Sequence, residues 1–134
     1  MEKEYVEYDE SLGLQEIGFN IPCFAYYITD ESINVSKKLF RFRGMEEDLR
    51  RKNSSFKNLP NMVCAPLYRQ AFGWFREEYK LHSTITSISQ ESWQWHITKP
   101  GEFLGRQYEE DYNTYEEAEL ACLVKLIDIV KQKN

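Results

Sequence analysis

Three stretches of the chain repeat their apolar residues at helical spacing, and several short segments between them alternate. Residues 9 to 19 predict a short helix in which Asp9 caps the start and Leu12, Leu14 and Ile17 supply the apolar side. Gly18 followed by Phe19 predicts a left-handed stop that folds Phe19 back on Leu14. Phe24, Tyr26 and Ile28 then alternate, Thr29-Asp30-Glu31-Ser32 reads as a turn, and Ile33 to Val35 begins a return strand. "KKLFRFR" (37 to 43) either ends that strand or forms another. Residues 44 to 65 show no sustained period and carry loop chemistry at Asn53-Ser54-Ser55 and Leu59-Pro60-Asn61.

Pro66 suits the first position of a second helix, 66 to 80, whose rows Leu67/Ala71/Trp74 and Tyr68/Phe72/Phe75/Tyr79 form a wide apolar face. Three strand-like segments follow. Leu81 to Ile88 contains Ile85 and Ile88 at opposite parity, which predicts a bulge or an early end. In "SWQWHIT" (92 to 98), Trp93, Trp95 and Ile97 share one face. Lys99-Pro100-Gly101-Glu102 reads as a type II turn into a strand at 103 to 108. Thr114 and Glu117 spell a capping box for a last helix running to about Lys131. That helix is apolar at Tyr115, Ala118, Cys122, Leu126, Ile129 and Val130, and again at Leu120, Ala121, Leu123, Val124 and Ile127, so it reads as largely buried.

Together these elements predict an α+β fold. A mainly antiparallel sheet of three to five strands carries the helices at 66 to 80 and 115 to 131 on one face, preceded by a short helix and hairpin. A chain of 134 residues suits a single domain over 1 to 134, divided into 1 to 43 (helix plus hairpin), 44 to 65 (loop or linker) and 66 to 134 (the α-β-β-β-α unit). With 42% hydrophobic, 15% aromatic and 29% charged residues, the chain lies far from disordered compositions. It has no apolar run of the roughly 18 residues a membrane helix needs, and its acidic start is unlike a secretory signal. The expectation is a cytoplasmic protein that makes no use of a membrane.

Charge is distributed unevenly around the net −5. Residues 1 to 20 hold six acids and one base, and residues 101 to 134 hold eight acids and four bases. Between them, residues 37 to 57 hold eight Lys/Arg against three acids. Lys37, Arg41, Arg43, Arg50, Arg51 and Lys52 are the candidate site there. Their charge implies nucleic-acid binding that weakens steeply with salt, or contact with a protein partner. Basic residues on an edge strand also guard against edge-to-edge pairing. Pairing of this stretch with the acidic helix end of a second copy would make a homodimer.

Catalytic signals are sparse. Cys23, Cys64 and Cys122 are odd in number and have no C-x-x-C spacing, which reads as buried thiols rather than a disulfide framework or a zinc site. His82 and His96 have no nucleophile placed beside them by any local motif. The acidic clusters Glu46-Glu47-Asp48 and Glu109-Glu110-Asp111 read as charged loop tips, and no Gly-rich phosphate loop is present. No cofactor and no metal are expected. Trp93 and Trp95 read as core beneath the helices, because a stacking platform needs exposed rings flanked by cations.

The order helix, three strands, helix over 66 to 131 resembles the double-stranded-RNA-binding domain in topology. That family opens its second helix with lysines that meet phosphate. Here the helix opens Tyr115-Glu116-Glu117-Ala118-Glu119, so the topology carries over and the activity does not. In wording, "GFNIPCFAYY" (18 to 27), "CAPLYRQAFGWFREEYKLHSTI" (64 to 85) and "NTYEEAELACLVKLIDIV" (113 to 130) resemble small uncharacterised proteins of prophages and mobile elements of anaerobic gut bacteria. This resemblance implies a phage-associated accessory context, with no activity attached, and assigns no residue a task. Taken with the absence of any catalytic constellation, it leads to the expectation of a non-enzymatic accessory or protein-interaction module with an unknown protein partner.

Overall fold

The computed structural model describes residues 4 to 28, 38 to 41, 52 to 56, 62 to 100 and 111 to 133. Its order is helix α1 (Tyr8–Glu16), strands β1 (Ala25–Ile28) and β2 (Lys38–Arg41), a 3-10 turn (Asn53–Phe56), β3 (Met62–Ala65), helix α2 (Tyr68–Tyr79), β4 (His82–Ser89), β5 (Ser92–Thr98) and helix α3 (Tyr115–Lys133). The α+β class holds. The strands divide between two antiparallel sheets, one of three strands in the order β2-β1-β3 and one of two, β4-β5. The chain forms two compact units, residues 1 to 70 and 71 to 134, with the division inside α2.

In the first unit, α1 begins one residue earlier than its sequence suggests. Glu7 stands at the cap position and makes no side-chain capping bond, so Asp9 is a first-turn acid, where the helix dipole favours it. Its end follows expectation. Gly18 takes φ 98°, its N–H donates to the Gln15 carbonyl (3.1 Å), and the Phe19 N–H donates to the Leu14 carbonyl (2.9 Å). This is the Schellman pattern, in which a glycine accepts the left-handed turn and the next residue closes the helix. Leu14 and Phe19 are both buried.

β1 pairs with β2 in the register Tyr26↔Phe40 and with β3 in the register Tyr26↔Cys64. The return strand of the hairpin is therefore in the 37 to 43 stretch, while Ile33 to Val35 lies outside the described residues. β3 corrects the reading of 44 to 65 as loop throughout. "MVCA" is uniformly apolar and too short to show a period, and Val63, Cys64 and Ala65 are buried where α1 packs against them.

One buried side chain ties this unit together. Asn53 Oδ1 accepts the Cys64 N–H (2.9 Å) and Gln15 Nε2 (3.4 Å), while its Nδ2 donates to the Phe19 carbonyl (2.8 Å). The Val6 carbonyl likewise accepts Ser11 Oγ (3.2 Å) and Tyr27 Oη (2.9 Å), and Tyr27 meets Tyr8 edge-on at 5.8 Å. Tyr5 bridges Leu67, and the Val6 N–H donates to the Pro66 carbonyl (2.8 Å), so the start of the chain runs beside the segment after β3.

α2 starts at Tyr68, two residues after the predicted Pro66. Gln70 Oε1 reaches back to the Leu67 N–H (2.9 Å), capping the helix start from within. At the other end Lys80 adopts φ 58°, the only positive φ of a non-glycine among the described residues. That conformation costs an L-residue roughly 1 kcal/mol.

Two stability effects follow. Asn53→Ala strands the Cys64 N–H and the Phe19 carbonyl, and urea titration is expected to show a loss of about 2 to 3 kcal/mol. Lys80→Gly relieves the left-handed strain and is expected to raise the unfolding free energy by up to about 1 kcal/mol, whereas Lys80→Ala is expected to give no gain.

Candidate interaction surface

The second unit, which also holds α2 from Ala71 onward, builds one surface from the β4–β5 hairpin and α3. β4 and β5 pair from His82↔Thr98 to Ser87↔Trp93, with a register irregularity between Ser87 and Ser89. The opposed parity of Ile85 and Ile88 foreshadows this shift, and beyond it Ile88 is left 57% exposed. Ser83, Ile85, Trp95 and Ile97 face inward under α3, and Trp95 and Ile97 are buried. Two exchanged backbone bonds, Trp93 N–H to the Tyr112 carbonyl (2.7 Å) and Tyr112 N–H to the Trp93 carbonyl (2.9 Å), then fasten the chain ahead of α3 to β5. Gln94 Nε2 adds a bond to Asp111 Oδ1 (2.7 Å), which holds that carboxyl below its ordinary range.

α3 begins where the capping box predicts. Thr114 Oγ1 accepts the Glu117 N–H (3.1 Å), and the Thr114 carbonyl accepts the Ala118 N–H (3.2 Å). Ala118, Cys122, Leu126 and Val130 form a fully buried row, widened by Leu123 and Ile127. Tyr115 meets Trp93 edge-on at 5.5 Å, so Trp93 is half-buried structure. Trp95, only 6% exposed, likewise offers no ring face for stacking.

The opposite side of α3 differs from its sequence reading. Leu120 and Ala121 are half-buried and Val124 is 42% exposed, although the helix is apolar enough to read as sealed. These three line an open groove of about 550 Å³ together with Trp95, Tyr112, Glu117, Lys125 and Asp128. The charges at Glu117, Lys125, Asp128 and Lys131 all fall on the exposed arc of α3 and mark it in the sequence. Tyr112 gave no sequence signal, because its place depends on the backbone pairing with Trp93.

The residues singled out for chemistry are not brought together. His82 and His96 share the outward face of the hairpin, opposite Thr98 and Thr84. Cys122 lies on the other face against Ser83, and burial pushes its thiol up to about 12. In the first unit, Cys23 and Cys64 are buried with their thiols within hydrogen-bonding reach, an adjacency their spacing concealed. The neighbouring Cys64 thiol and burial together raise Cys23 far above the ordinary thiol range, so it stays protonated. No group of three His, Cys, Asp or Glu residues is placed to hold a metal among the described residues. Of the basic candidates, Lys37, Arg43, Arg50 and Arg51 lie outside the described residues. Arg41 ends β2, an edge strand of the three-stranded sheet, and Lys52 is exposed just before the 3-10 turn. The acidic cluster at 46 to 48, Glu109, Glu110 and the strand expected at 103 to 108 also lie outside.

Comparison with protein-family models, curated proteins and solved structures returns no match for this chain. Among the described residues, no helix is long and apolar enough to cross a membrane.

Glu119, half-buried near the start of α3, has its carboxyl raised above the ordinary 4.5, mainly by burial, while a hydrogen bond from Tyr115 acts in the opposite direction. The unfolded chain ionises this group first as pH rises, so its contribution weakens folding from the ordinary carboxylate range upward. Glu119→Gln removes that loss. Melting curves are expected to show the variant gaining on the parent as pH rises from about 4, the gain levelling once the raised carboxyl of the folded parent has ionised.

Proposed function

We propose that this chain is a non-enzymatic accessory protein of a mobile element that works through protein–protein contact, with the groove between β5 and α3 as its docking surface. The observation that carries the reading is the half-open apolar row of Leu120, Ala121 and Val124 beside Trp95 and Tyr112. Apolar side chains left accessible beside the buried Trp95 and the half-buried Tyr112, with Glu117, Lys125 and Asp128 among them, give the mixed apolar and polar lining of an interaction site. The mobile-element context is supported by the likeness in wording.

A photo-crosslinking residue at position 124 tests the reading, with position 84 on the outward hairpin face as control. Covalent protein adducts are expected from 124 and not from 84. Excess untagged parent protein should suppress them, and excess untagged Val124→Glu should not. Equal yields from the two positions, or no adduct at 124, would overturn the assignment of the groove.

A further inference from the structure

Three positions on the exposed arc of α3 are spaced symmetrically about one residue. Val124 stands at the centre, with Glu117 seven residues before it and Lys131 seven residues after it, all three exposed. Seven residues are close to two helical turns, so the three lie nearly in line along the helix. When a second α3 is laid antiparallel with Val124 on the two-fold axis, Val124 meets Val124, and each Glu117 meets the other copy's Lys131. Ala121, one turn from the axis, is small enough for the helices to approach closely. The antiparallel arrangement also sets each helix N-terminus beside the other's C-terminus, which the dipoles favour.

We infer that the occupant of this surface is a second copy of the same chain, joined in an isologous, antiparallel α3–α3 contact centred on Val124. This rests on the interaction reading of the groove and specifies its partner. The charge pairing differs from the one its sequence suggests, because it uses the two ends of α3 and leaves the basic segment out.

Sedimentation equilibrium on the full chain between about 5 and about 500 µM tests it, a range that reveals the weak affinity of a contact this small. A reversible dimer is expected. Val124→Glu should raise its Kd at least about tenfold by placing two carboxylates on the axis, and Glu117→Lys should raise it several-fold by breaking both ion pairs. The double variant Glu117→Lys/Lys131→Glu should return Kd to within about threefold of the parent, since the pairs are only exchanged. Circular dichroism confirms that each variant is folded, and the double variant reads the contact through recovery rather than loss. A monomer throughout this range overturns the inference, as does a dimer indifferent to Val124→Glu or a double variant no better than Glu117→Lys. If the chain is monomeric but position 124 still crosslinks specifically to another protein, the second-copy inference fails and the interaction reading stands.

Discussion

A two-stranded hairpin cannot hold its shape alone in water, and the second unit is organised by that limit. β4 and β5 place Ile85, Trp95 and Ile97 on one face, which requires a cover, and α3 supplies it. Backbone bonds position the start of the cover, and side chains reinforce it. The exchanged bonds between Trp93 and Tyr112 bring the chain alongside β5, and Thr114 caps the helix two residues later. With its start fixed, α3 presents the row from Ala118 to Val130 to the hairpin. Because a narrow hairpin covers only part of a helix that is apolar nearly all round, the rest must face elsewhere. The groove results from a broad apolar helix laid on a narrow sheet.

The first unit meets a similar shortage of apolar area by different means. Its strands are four residues long, and a buried amide does much of the joining. Asn53 connects the 3-10 turn, the end of α1 and β3 through three bonds. Such an amide is costly when any bond is missing, so a fully satisfied one specifies a single arrangement of the segments it touches. The adjacent Cys23 and Cys64 side chains lie in the same interior and pack there as small apolar residues.

What could be read in the sequence follows from how local each signal is. The Schellman end at Gly18 and Phe19, the Thr114 cap and the irregularity near Ile88 rest on neighbouring residues, and the structure forms each of them. β3 was hidden because four apolar residues carry no period. The role of Asn53 was hidden because its partners come from distant segments, and in sequence it resembles any loop asparagine. α3 misled in an instructive way. Apolar residues all round a helix suggest complete burial, yet burial is set by the width of whatever covers it. The interspersed charges at 117, 125, 128 and 131 were the better guide to the open arc.

A single exposed valine is ordinary and needs no partner to explain it. Val124 differs through its surroundings, because it continues into Leu120, Ala121 and the aromatic Trp95 and Tyr112, and because the charges around it distinguish one packing direction from the other. Parallel association of two α3 helices would stack Glu117 on Glu117 and Asp128 on Asp128, placing like charges together along the contact. Antiparallel association replaces the Glu117 clash with unlike pairs at both ends, keeps Val124 on Val124, and sets each Asp128 opposite the other copy's Leu120 instead of the other Asp128. Exposed ion pairs contribute little to affinity, so hydrophobic contact at Val124 would have to hold two copies together. The charges would mainly decide orientation, through repulsion in the alternative as much as attraction in the favoured form.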